Sequence, residues 1–392
     1  MIFRLIQCFT WILKILATFI VGILMLILFL YWGTSIYNFT ESKPFSGDKI
    51  HNPYENLPST AYKANFHGHS RAWRGITHGT DSDEAFIEAY INKGYDLACL
   101  SNYHKISHYN GTKTNINVPV YEHGYNIKKA HYLAINAKKV SFWDFPLWQS
   151  SSHQQSMIQT LRENAEMVAI AHPKFGGGRS FDHMKQITGY HFTEVLNHYR
   201  TSEEHWDAAL STGKLSWILA DDDVHDLKDP EIFQRWNIIF SDSKDAVLNA
   251  MKEGKNYGLE SFNTRAENNF LSCEKINENT FKWTFDKPAD SILFVGQNGA
   301  IRQKTVATDT ATYTFTPDDT YIRVIAKNHG QNLYLNPLVR YQGSSVTMAA
   351  DMIAEENTLY TLVWKSGIIA LMIGLVYLWW RLVQSKFKSI KA

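Results

Sequence analysis

His67 and His69 alternate at the end of a short strand-like run, Ala64-Asn65-Phe66-His67-Gly68-His69. Along a β-strand the side chains i and i+2 share a face, so both imidazoles can converge on one cation. Two unrelated histidines on a wet face would show the same spacing; what favours a metal is the company they keep. The chain has 16 histidines, and all but His329 lie between His51 and His225. Several of them close strand-like runs. Leu97-Ala98-Cys99-Leu100 leads into Ser101-Asn102-Tyr103-His104, Met167 to Ala171 into His172-Pro173, and Leu215 to Leu219 into Asp221-Asp222-Asp223-Val224-His225. Imidazole and carboxylate donors suit zinc, manganese or iron.

The elements that must position these groups read as strands alternating with helices. Asp83 to Tyr90 has a helical period and an acidic first turn, Met157 to Ala165 and Asp245 to Glu253 read as further helices, and strands fall at Tyr62 to Phe66, Phe192 to Leu196 and the runs above. Such alternation implies an α/β fold with parallel strands, whose ligand sites lie at the strand C-termini. From Asn279 the texture becomes strand alternation, as in Phe281-Lys282-Trp283-Thr284-Phe285 and Tyr321-Ile322-Arg323-Val324-Ile325. This predicts a small antiparallel β-sandwich after the α/β part.

Composition excludes some classes. A net charge of +1 over 392 residues offers no electrostatic footprint for nucleic acid. Cys8, Cys99 and Cys273 stand too far apart for a Cys-x-x-Cys zinc site or a disulfide framework. Ile15 to Trp32 carries no charge and matches the roughly 20 residues that span a bilayer. It is longer than the apolar core of about 7–15 residues in a secretory signal and lacks a small-x-small cleavage site. We read an uncleaved anchor, with cleavage the alternative. Leu359 to Trp380 is a second span, interrupted only by Lys365, which can snorkel. It ends in Tyr377-Leu378-Trp379-Trp380 and is followed by Arg381, Lys386, Lys388 and Lys391. With Arg4 and Lys14 before the first span, the positive-inside rule puts both termini in the cytoplasm and the segment from Tyr37 to Thr358 outside it. The expected organisation is an anchor (1–37), a linker (38–60), the α/β unit (61–265), the sandwich (266–345), a second linker (346–358), a second span (359–380) and a basic tail (381–392).

Taken in order, His67-x-His69, Gly94-Tyr95-Asp96 with the strand end at Asn102 to His104, Tyr121-Glu122, His131, Ala171-His172-Pro173, Glu194-Val195-x-Asn197 and Asp223-x-His225 resemble the PHP (polymerase and histidinol phosphatase) family of metal-dependent hydrolases. The resemblance covers roughly residues 65–258. It implies a distorted (β/α)7 barrel with two or three divalent ions at the strand C-terminal end, used to hydrolyse phosphoesters. The implied ligands are His67, His69, Glu122, His131, His172, Asp223 and His225, with Glu122 able to bridge two ions and Glu194 kept outside the ligand set.

This sequence departs from the family at two places, which supply further candidates. Ser101-Asn102-Tyr103-His104 stands where the family has Thr-Asp-His, and Thr77-His78-Gly79 stands where an acid precedes a glycine. His104 is thus displaced by one residue, which reverses its face within a strand, although a loop at a strand end can turn it back. His78 and His104 remain candidate ligands. Glu122 and Asp223 are the expected catalytic carboxylates, and Arg71, Arg74 and Lys174 are candidate phosphate clamps, each equally readable as a solvated cation. The implied protein is a membrane-anchored, extracytoplasmic phosphoesterase that uses metal-bound hydroxide on a small-molecule phosphoester. The rival, motivated by Asn102 and Tyr103, is a non-catalytic metal-binding sensor or scaffold.

Overall fold

The computed structural model describes residues 2–384 apart from 40, 42, 78, 108–115 and 264–267. His78 and the tail lysines Lys386, Lys388 and Lys391 lie outside the described residues, as does the side chain of Arg4. In chain order the elements are α1 (Ile2–Trp32), β1 (Tyr37–Asn38), β2 (Lys49–His51), β3 (Ala61–Asn65), α2 (Asp83–Asn92), β4 (Leu97–Ala98), β5 (Val120–His123), β6 (Tyr132–Ala137), α3 (Ser151–Arg162), β7 (Ala165–Ile170), α4 (Phe181–Gln186), β8 (Phe192–Asn197), α5 (Glu203–Leu210), β9 (Trp217–Asp221), β10 (Arg235–Phe240), α6 (Val247–Lys252) and β11 (Asn256–Ser261). There follow β12 (Phe270–Asn277), β13 (Thr280–Val295), β14 (Ile301–Thr314), β15 (Tyr321–Asn328), β16 (Gln331–Leu335), β17 (Leu338–Tyr341), β18 (Glu355–Glu356) and α7 (Thr358–Gln384).

Both α1 and α7 are long and apolar enough to cross a membrane. They pack antiparallel: the Trp364 indole donates to Tyr31 O (2.9 Å) and Lys14 Nζ to Val383 O (2.6 Å) at the far end. Where the chain leaves the pair, β1 and β18 form an antiparallel ladder with Tyr37 opposite Glu356. Tyr31 and Ile368 join a core cluster with Tyr132, Met157, Ile158 and Val168, so the helix pair is rooted in the folded body.

The fold between the two helices is mixed α/β. Serines start the helices: Ser82 Oγ accepts Ala85 N–H at α2, and Ser150 with His153 and Ser180 with His183 form capping boxes at α3 and α4. Besides the β1–β18 pair, the strands form two sheets. One has the order β12-β13-β15-β16-β11-β10-β3-β4, with β14 on β13 and β17 joining β15 to β2; the other runs β5-β6-β7-β8-β9. Among the described residues only β3/β4, β7/β8 and β8/β9 pair in parallel.

Among the described residues no closed barrel forms, which corrects the (β/α)7 expectation. At the two seams the sheets meet by single bridges, Tyr103 with Glu122 and Gly68 with Val224. Side chains replace the ladder beside the second seam. Asp221 Oδ1 accepts Phe66 N–H (2.6 Å), Asn65 Oδ1 accepts Asp222 N–H (2.9 Å), and the Asn237 amide bonds both backbone groups of Ala220. The antiparallel strands after Asn279 are present, but not as a separate sandwich. β16 pairs with β11, so one sheet runs through both parts. Leu293, Val295 and Ile325 accordingly share a core with Phe66, Leu219 and Ile239.

Candidate metal centre

The ligand positions follow from how the strands end. His67, His172 and Asp223 each stand two residues beyond their strands β3, β7 and β9. His172 and Asp223 have positive φ, +25° and +48°, a conformation that costs residues with a Cβ about 1–3 kcal/mol and turns the side chain out of the strand direction. Backbone bonds fix the approach of the two ends: Asp223 N–H donates to His67 O (2.9 Å) and His69 N–H to Val224 O (2.8 Å). Glycine between the two histidines lets this end pack on α2, since a Cβ at Gly68 would lie 2.4 Å from the Phe86 ring. Glu122 comes from β5, and His131 follows across the β5–β6 turn. There Gly124 has φ +137°, and a Cβ would meet the His131 ring at 2.5 Å.

Four buried atoms converge: His67 Nε2, His69 Nε2, Glu122 Oε2 and Asp223 Oδ1. Among the described residues none of them has a hydrogen-bond partner. Glu122 Oε2 lies 3.3 Å from His67 Nε2 and 3.2 Å from His69 Nε2, and Asp223 Oδ1 lies 3.2 and 3.3 Å from the same two atoms. Donors at such separations can share one ion at about 2.0–2.2 Å from each, a normal length for metal–imidazole and metal–carboxylate bonds. The other Glu122 oxygen faces a second group. Oε1 lies 2.5 Å from His131 Nδ1 and 3.2 Å from His172 Nε2. The first group fits a cation as it stands, whereas His131 is hydrogen-bonded to Glu122 and would open that contact to take one.

Charge makes the cluster a place that could hold a cation. Burial alone would raise the Glu122 and Asp223 carboxyls, but His131 and His67 around the first, and His67, His225 and His69 around the second, hold both well below the usual carboxylate range. Burial likewise opposes charge on His67 and His69, yet the carboxylates outweigh it and raise both. Orientation comes from behind. Glu194 Oε1 lies 3.0 Å from His67 Nδ1, so that nitrogen donates and Nε2 is left as the lone-pair donor. Glu194 Oε2 accepts His172 N–H (2.7 Å), and the Asn197 amide donates to Glu194 Oε1 (3.0 Å) and Asp223 Oδ2 (3.2 Å).

The sequence-derived ligands His67, His69, Glu122, His131, His172 and Asp223 are therefore brought together. His225 sits at their edge, stacked on His69 at 4.3 Å with Nε2 3.5 Å from Asp223 Oδ1. His104 is not in the cluster: its Nδ1 bonds Ser141 O (2.9 Å) and its Nε2 accepts Gly124 N–H (3.2 Å). The one-residue displacement is not turned back, and Tyr103 faces the site instead, its ring 4.7 Å from that of His69 and 6.3 Å from that of His225. Burial and the nearby Glu122 push its hydroxyl well above the ordinary phenol value. Asn102 is structural, binding Ser70 and Ser107. Lys174 pairs with Glu204 (3.7 Å), and Arg71 and Arg74 are exposed; none of the three makes a hydrogen bond or ion pair with the cluster among the described residues. The orienting role of Glu194 and Asn197 had a signal in the Glu-x-x-Asn spacing, whereas that of Tyr103 lay in strand parity. Comparison with protein-family models, curated proteins and solved structures finds no match for this chain.

Proposed function

We propose that the chain is a membrane-anchored, extracytoplasmic metal-dependent phosphoesterase, similar to the PHP family and built on an interrupted version of its barrel. The observation that carries this reading is the set of four buried ligand atoms in which each imidazole nitrogen lies 3.2–3.3 Å from both carboxylate oxygens. His67, His69, Asp223 and one oxygen of Glu122 would hold one ion, and the other oxygen of Glu122 with His172 and His131 a second. Zinc, manganese or iron suits these donors, and two or three such ions are expected. Bound there, divalent ions would make a water more acidic and neutralise charge growing on phosphoryl oxygens. Glu194 and Asn197 hold the ligands in place. Tyr103 keeps its proton and offers it as a hydrogen bond to a substrate oxygen.

A second reading is a sensor or scaffold holding a single ion. It is favoured by the His131–Glu122 hydrogen bond and by the commitment of His104 to Ser141 and Gly124. Metal analysis of the full chain, purified without chelator and reconstituted with zinc, manganese or iron, separates the two when followed by a panel of phosphomonoesters and phosphodiesters. Two or more ions with turnover support the enzyme. One ion without turnover supports the scaffold, and less than one ion removes both.

A further inference from the structure

One side of the centre is walled by exposed aromatic residues. The Trp73 indole donates to Tyr103 O (2.8 Å), and its ring meets Phe142 edge-on at 6.3 Å. Phe142 also stacks on His104 at 5.6 Å, yet it is 60% exposed. The same loop continues to α1. Trp143 packs on Phe29 (5.6 Å), Trp148 stacks on Tyr31 (4.3 Å), and the Tyr31 hydroxyl accepts the N–H groups of Leu147 and Trp148. Trp148 remains 51% exposed. A neighbouring loop is tied alongside: Ile127 N–H donates to Pro146 O (3.0 Å) and Tyr125 N–H to Asp144 Oδ2 (2.8 Å), while the Ile127 side chain is 66% exposed. An apolar strip thus runs from Tyr103, beside the ligand cluster, to the last turn of a helix long and apolar enough to cross a membrane.

From Gly124 to Gln149 the exposed charges of this strip have one sign. Arg71, Arg74, Lys128 and Lys129 are exposed, and the only carboxylate from Gly124 to Gln149 is Asp144, which is fully buried. Aromatic, aliphatic and basic side chains without an exposed acid are the composition of a surface resting in lipid headgroups. A freely soluble substrate would need no apolar strip of this extent.

We infer that the strip lies in the headgroup layer of the bilayer that α1 enters, and that the centre acts on the phosphoester of a membrane lipid. The chemistry rests on the phosphoesterase reading, but the docking does not. In the step, water oxygen bonds phosphorus as one P–O ester bond breaks. One water proton goes to the leaving alcohol, and the other stays on the phosphate product or passes to solvent.

Two measurements on the full chain in nanodiscs of phosphatidylcholine and phosphatidylglycerol test this. Nitroxide labels are placed singly at Phe142→Cys, Ile127→Cys and, as reference, Val306→Cys on β14, with Cys8 replaced. Labels at 142 and 127 should collide with oxygen in preference to a nickel chelate, and the label at 306 with nickel. If 142 and 127 are as open to nickel as 306, the docking is overturned. Turnover is then compared for vesicle phosphatidylglycerol and for the same headgroup on a short-chain, water-soluble ester at equal concentration. The vesicle substrate should react at least about tenfold faster. Equal or slower reaction overturns the lipid assignment and leaves the phosphoesterase standing. Turnover of neither substrate with ions bound removes the phosphoesterase reading and the lipid chemistry with it, while the labels still decide the docking.

Discussion

Glu122 joins two ligand groups, because its two oxygens face different ones while the residue is fully buried. Glu122→Gln keeps the shape and removes the charge that holds both groups together. Metal content should fall, and hydrolysis should drop by about 10²-fold or more, a transition-state loss near 3 kcal/mol. Circular dichroism should show the fold retained. Full occupancy together with wild-type turnover would place the site elsewhere. Much of this centre is legible in the sequence, since His67-x-His69 announces its own convergence and His172 and Asp223 close apolar strand runs. The exchange of Tyr103 for His104 is less so. Parity across one residue decides which of them faces the cluster, and that parity is set by a bridge to Glu122 made by a distant part of the chain.

Helix α3 carries a buried histidine in its cap, between the folded body and the membrane helices. His153 Nδ1 accepts Ser150 N–H (3.0 Å), and the ring lies against Phe145 (4.4 Å), Tyr31 (5.1 Å) and Trp364 (5.8 Å). Burial brings its pKa down to about 4. An unfolded histidine titrates near 6.5, so the unfolded chain takes up the proton first. The stability this neutral ring contributes is complete above about pH 6.5 and is lost as pH falls towards 4, amounting to about 2 kcal/mol at pH 5. Thermal unfolding of the full chain in detergent micelles should show Tm falling between pH 7 and 5, and His153→Gln should flatten that slope. An unchanged slope would assign the effect to other groups. At this scale the helices are legible through periodicity and serine caps, but strand partners are not. The β5–β6 pair is antiparallel although strand–helix alternation suggests parallel neighbours, and β16 finds β11 although residues 262–330 lie between them. Pairing of that kind is decided by which apolar faces must be covered in three dimensions.

The antiparallel packing of α1 on α7 brings residues 14 and 383 together and so sets both ends of the described chain at one end of the pair. Combined with the basic residues after Trp380, this predicts that a reporter fused after Ala392 is active in the cytoplasm and one inserted at Gly343 only outside it. The opposite pattern would invert the proposed orientation. Both helices are read directly from composition; their pairing is not, because it depends on contacts such as Trp364 with Tyr31 that span the whole sequence. The interrupted ring has a consequence for how long the molecule lasts. His67 and His69 belong to the sheet that contains β3, while Glu122 and Asp223 extend from β5 and β9 of the other. A cation held by all four would rivet two sheets that are otherwise joined there by single backbone bridges and side-chain hydrogen bonds. Its supply would then set the protein's lifetime: at a free concentration one hundred times its Kd, an ion stabilises by about 2.7 kcal/mol. Chelation should accordingly speed proteolysis and amide exchange at residues 66–69 and 101–104 ahead of the rest of the chain, so that a cell short of the metal would clear this protein rather than store it empty.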